Sequence, residues 1–196
     1  MKKLLSIFLL ALPLKVLMST GNVFPTSGTN NAGIGATAWA TPENIVSDNT
    51  TDATCAAAAS SQYLVGSAFG FAIPQNAQIT GITVRIEASE HSTGTEALSG
   101  RLQDASAALF GSTKSATISG TAKAVYTYGS STDIWTLTQA PITAEIVNDA
   151  DFGCRFWFTT AHTINVDYVT IAIEYALGGG FFRALSTIKV KTKTTI

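Results

Sequence analysis

Ile79-Thr80-Gly81-Ile82-Thr83-Val84-Arg85-Ile86-Glu87 sends Ile82, Val84 and Ile86 to one side and Thr83, Arg85 and Glu87 to the other. Side chains on a strand alternate between faces, so this spacing predicts a strand with one buried face. The stretch Asn165 to Tyr175 repeats the pattern. There Asp167, Val169, Ile171, Ile173 and Tyr175 share one parity, apolar from Val169 onward, which predicts a core strand with neighbours on both sides.

Working outward, shorter candidate strands lie at Tyr63 to Ile73, Leu98 to Phe110, Thr121 to Gly129 and Phe152 to Thr159. The last carries Phe156-Trp157-Phe158, an aromatic run of the kind strands favour. Between them sit turn formers: Pro74-Gln-Asn-Ala, His91-Ser-Thr-Gly-Thr, Gly129-Ser-Ser-Thr-Asp and Asn148-Asp-Ala-Asp. A short helix fits Thr143 to Asn148, with Thr143 as cap and Glu145 in the first turn. Many short strands with almost no helical period predict an all-β, antiparallel two-sheet sandwich of jelly-roll type.

The chain divides into four stretches. Residues 1–18 hold Lys2 and Lys3 before an apolar run, Leu4 to Leu14. That layout fits a secretory signal or an anchor, and Met18-Ser-Thr-Gly-Asn also reads as an ordinary start. The apolar run is too short to span a bilayer. Residues 19–37 are rich in Gly, Asn, Thr and Ser and read as an extended arm. Residues 38–176 form the sandwich domain. Residues 177–196 follow a Gly178-Gly-Gly break as a basic, strand-like tail.

Composition narrows the function. The chain of 196 residues is 46% hydrophobic and 13% charged, with a formal net charge of -1. Such a balance offers no basic face for nucleic acid. Cys55 and Cys154 allow a bridge outside a cell, but Ala56 to Ala59 and the flanking Phe152 and Phe156 favour two small buried residues.

Three motifs occur in order. They are Ala38-Trp39-Ala-Thr-Pro42-Glu-Asn44-Ile45 with Asp48, then Tyr63-Leu64 leading to Phe69-Gly-Phe-Ala-Ile73-Pro74 and Ile79-Thr-Gly81-Ile82, then Asp151-Phe152-Gly153 with Val166-Asp167-Tyr168-Val169 and Ile173-Glu174-Tyr175. Over residues 38–175 this order resembles the β-sandwich modules of tailed-phage virion proteins and related bacterial surface proteins. The resemblance implies a jelly-roll or discoidin-like sandwich and a location in a virion or on a surface. The apolar N-terminal segment and the basic tail depart from that module.

No catalytic constellation stands out. His91 and His162 both fall in turns and read as exposed loop residues. A G-x-S-x-G elbow, an H-E-x-x-H pair and a phosphate loop are all absent from the sequence. We therefore expect a non-enzymatic protein without a cofactor. Asn44, Asp48 and Asp52 cluster as oxygen donors suited to calcium, although the same residues favour turns. Trp157, Tyr126 and Tyr128 are candidates for stacking on a sugar, set against the usual role of aromatics in a core.

Phe181, Phe182, Lys189, Lys191 and Lys193 are candidates for assembly contacts, the alternating lysines either guarding an edge or adding to a neighbour's sheet. The reading that fits best is a structural virion protein, acting through contacts with other subunits and forming a homo-oligomer. The alternative is a secreted bacterial carbohydrate-binding or adhesion module with a surface glycan as partner. A membrane-attached surface protein, held by residues 4–14, is a third reading.

Overall fold

The computed structural model describes residues 15–91, 94–104, 106, 108–135 and 142–178. The chain is an all-β sandwich of two antiparallel sheets. In chain order its strands are β1 (Val16–Ser19), β2 (Ser27–Asn31), β3 (Ala53–Ala56), β4 (Tyr63–Ser67), β5 (Ala77–Glu90), β6 (Thr95–Gln103), β7 (Leu109–Ser119), β8 (Ala124–Ser130), β9 (Gly153–Trp157) and β10 (Thr163–Leu177). One sheet runs β1-β10-β5-β8, with β3 sharing an edge of β10 with β1. The other runs β2-β4-β9-β6-β7.

The alternation in β5 does what its spacing dictates. Ile82, Val84 and Ile86 are fully buried, facing Leu64, Leu98, Leu102 and Phe156 of the opposite sheet in one continuous core. Burying each such side chain stabilises the fold by roughly 1.5–3 kcal/mol. Trp39, Trp135 and Phe158 join the same core.

A bulge alters β10. Its register against β5 shifts between Val166 and Tyr168, so Ile164 and Val166 point inward before the shift and Val169, Ile171 and Ile173 after it. A bulge adds one residue and swaps the parity of the strand beyond it. Here the swap sets Asp167 at the break, almost wholly buried.

Two asparagines fasten the connections. Asn30 grips Trp39 by its backbone, Nδ2 donating to the Trp39 carbonyl and Oδ1 accepting from the Trp39 N–H, both at 2.8 Å. Asn148 does the same for Ile73, at 2.7 and 2.9 Å. It ends the helix α1 (Ala144–Val147), whose cap is Thr143 as expected.

The stretch 19–37, expected as an arm ahead of the domain, is instead stitched into both sheets. Val23 bridges Ile171 after β1, and β2 pairs along β4 from Ser27 opposite Ser67 to Asn31 opposite Tyr63. Its Gly, Asn and Thr residues suit an edge strand whose outer side is polar. Val16 stands opposite Leu177, so the chain joins and leaves the sandwich at one corner. Phe181, Phe182, Lys189, Lys191 and Lys193 lie outside the described residues, as do residues 1–14.

Candidate functional site

The β5–β6 hairpin and the loop before β10 meet at one end of the sandwich. Glu90 closes β5, Glu96 lies near the start of β6, and Thr160 and His162 come from the loop. His162 is half-buried, not the open turn residue its context predicts. Its Nδ1 lies 2.5 Å from Oε1 of the fully buried Glu90, and its Nε2 lies 3.5 Å from Oε2 of Glu96. The Thr160 hydroxyl donates to the same Glu96 oxygen.

Gly94 makes the room. A Cβ there would stand 2.9 Å from Glu90 Oε1 and 3.1 Å from His162 Cε1. Beside the cluster opens a cleft of about 410 Å³, lined by Ala56, Ala57, Ala58 and Ala161 with His91, His162 and Thr163. Its wall is mostly methyl groups. Chemically, an imidazole set between two carboxylates binds loops together by charge-assisted contacts. Both ring nitrogens already face a carboxylate, so a substrate could take a proton only by displacing one of them.

A second cluster forms on the other side of β5. Carboxylate oxygens of Asp48, Glu87 and Asp167 all lie within 4.8 Å of one another. Of the three calcium candidates, only Asp48 joins this group. Lys123 stands where a cation would be wanted, its Nζ 3.1 Å from Asp167 Oδ2 and 2.6 Å from Asp52 Oδ1. Asn44 turns its amide nitrogen to the Asp52 carbonyl at 3.0 Å. Asp48, Glu87 and Asp167 are the residues whose oxygens suit a hard cation.

Electrostatics in this cluster run against Glu87. Burial raises its carboxyl above the ordinary 4.5, and so do its hydrogen bond with Asp167 and the charges of Asp167 and Asp48, with Lys123 opposing them. Lys123 is held above its ordinary value. Burial alone would lower it, but hydrogen bonds and charge from Asp52 and Asp167 outweigh that.

The aromatic candidates are placed as follows. Tyr128 is buried in the core and donates its hydroxyl to the Leu98 carbonyl at 2.9 Å. Tyr126 is half-buried against the core, its hydroxyl accepting from the Ser119 N–H. Trp157 is 9% exposed on the outer face of β9, packed edge-on against Tyr63, whose own ring lies under the Arg155 guanidinium. With Trp39 and Trp135 in the core, none of the three indoles presents a flat face to a sugar.

Sequence reasoning missed the histidine cluster because its members are distant in the chain. Glu90 and His162 are 72 residues apart, far beyond the reach of any local motif. The one local signal is Glu90-His91-Ser-Thr-Gly94-Thr-Glu96, two acids flanking a glycine turn.

No protein-family model matches the chain, and no curated protein matches it. Among solved structures it is similar to an exo-beta-agarase at 10% identity, with a TM-score of 0.42. The match covers 76% of this chain and 24% of that one, so this chain spans about a quarter of the agarase's length. Among the described residues, no helix is long and apolar enough to cross a membrane.

Proposed function

We propose that this chain is a structural component of a phage-like virion, which decorates, cements or extends the particle through contacts with other subunits and with copies of itself. The observation that carries this reading is the corner where Val16 stands opposite Leu177. Lys15 and Gly178, from which the two flanks lead away, adjoin that pair, so a single corner can offer both flanks to one neighbour. The two sheets of the described residues close on one core behind that corner. The motif order between residues 38 and 175 supports the same reading through its likeness to tailed-phage modules.

Native particles test the reading. Mass spectrometry of purified virions should find the chain, and limited proteolysis should cut its flanks in the free protein but spare them in the particle. A chain that stays monomeric in solution, with flanks equally cut in both settings, would falsify the proposal.

A further inference from the structure

The free edge of β1 differs from the other sheet edges. β8, Ala-Val-Tyr-Thr-Tyr-Gly-Ser, exposes one large aliphatic side chain, Val125, while β2 is Ser-Gly-Thr-Asn-Asn and β7 carries Lys114 among serines and threonines. Polar and charged edges of this kind discourage pairing with other chains. β1 is Val16-Leu17-Met18-Ser19, exposed along its whole length, with Leu17 at 73%. Among the described residues, β10 is its only ladder partner.

We propose that this edge is a self-pairing surface, onto which a second copy of the chain lays its own β1 antiparallel with the two-fold axis at Leu17. Hydrogen-bond parity fixes that register. In an antiparallel ladder, alternate residues turn both backbone polar groups toward the same neighbour. The Thr20 N–H donates to the Ile173 carbonyl at 3.0 Å, continuing the register in which Ser19 faces Glu174. Val16, Met18 and Thr20 therefore turn their backbone groups toward β10. Lys15, Leu17 and Ser19 turn theirs toward the free edge.

A second β1 must meet outward groups with outward groups. The register that does so sets Leu17 opposite Leu17 and Lys15 opposite Ser19 of the second copy. Val16 then lies beside Met18 of the second copy, so every apolar residue of the strand gains an apolar cross-strand neighbour. Charge agrees with the ladder. Ser19 Oγ donates to Glu174 Oε1 at 2.7 Å, so the carboxylate lies beside the position to which Lys15 of the other copy is brought. A two-fold axis makes this contact twice, as an isologous interface requires.

The proposal rests on the contact-based reading above and adds to it the surface and the partner. Its test uses the full chain. In the Leu17→Cys variant the paired α-carbons would sit about 5.5 Å apart, within disulfide range. Mild oxidation should then give a linked dimer. Val16→Cys, which faces Met18 of the second copy, should give about a tenth as much or less, on the steep distance dependence of the bond.

Leu17→Asp should weaken dimerisation by about tenfold or more in analytical ultracentrifugation, since like charges would face each other at the axis. Leu17 is exposed, so the circular dichroism spectrum should not change. Equal cross-linking of the two cysteine variants, or an oligomer indifferent to Leu17→Asp, overturns the pairing and leaves the virion reading standing. A chain that neither cross-links nor dimerises also overturns it. The virion reading falls as well only if the chain stays monomeric and its flanks also remain protease-sensitive in native particles.

Discussion

His162 Nδ1 lies 2.5 Å from Glu90 Oε1, a carboxylate with no solvent exposure. Removing a hydrogen-bond partner from a buried polar group costs more than the bond itself contributes, because the group left behind keeps its desolvation penalty. His162→Ala is therefore expected to lower stability by about 2 kcal/mol. Adding Glu90→Gln should recover part of the loss. Urea denaturation of the two variants and wild type measures both effects.

Glu87 is a second, opposite case. Its folded-state carboxyl is raised, chiefly by burial and then by Asp167 and Asp48. A raised acid supports the fold fully below its unfolded value and withdraws that support as pH rises through the folded value. Ionised, it repels Asp48 and Asp167. Glu87→Gln sets an N–H donor toward Asp167 in place of that charge and should stabilise the protein by about 0.5 kcal/mol at pH 7, a small gain because solvent screens a partly exposed group. The gain should vanish near pH 4, where wild-type Glu87 is itself largely protonated. Paired melts at the two pH values decide it.

Gly129 sits at φ +76°, and a Cβ there would come 2.3 Å from the Ile82 carbonyl and 2.7 Å from Trp135 Nε1. Those two atoms are themselves hydrogen-bonded at 2.9 Å. Gly129→Ala must both strain the backbone and part that bond, an expected loss of about 3 kcal/mol. Trp135 is a fluorophore at the point of damage. A red shift in its emission should accompany the drop in stability, and an unchanged midpoint would count against the argument.

Cys55 and Cys154 are both free and buried, one on each sheet. Burial pushes the Cys55 thiol up to about 11 and raises Cys154 further. Neither is a ready thiolate, so alkylating reagents should modify them only in denaturant. Thermal midpoints with and without reductant should coincide. Rapid labelling of the native chain would contradict the burial.

The sequence revealed what is written locally. Ile82, Val84 and Ile86 announced β5 by their spacing, and Thr143 announced the cap of α1, because each signal lies within one element. β1 and β2 were not legible. β2 is an edge strand of small polar residues with no apolar alternation, and its strand character comes from pairing with β4. The bulge at Asp167 was hidden for the same reason, since parity along β10 is set by its register on β5. The site residues fared worst. Asp48 looked like part of a local loop with Asn44 and Asp52, yet its carboxylate neighbours Glu87 and Asp167 arrive from two other strands.

Because Val16 and Leu177 are ladder neighbours, the sandwich occupies hardly more span between its two connections than a tight turn does. Neighbouring strands lie about 4.8 Å apart. Such a unit can be spliced into a surface loop of an unrelated host without stretching either, as inserted domains with adjacent ends are. A recombining genome could therefore move it as a cassette, and an engineer could graft it in the same way.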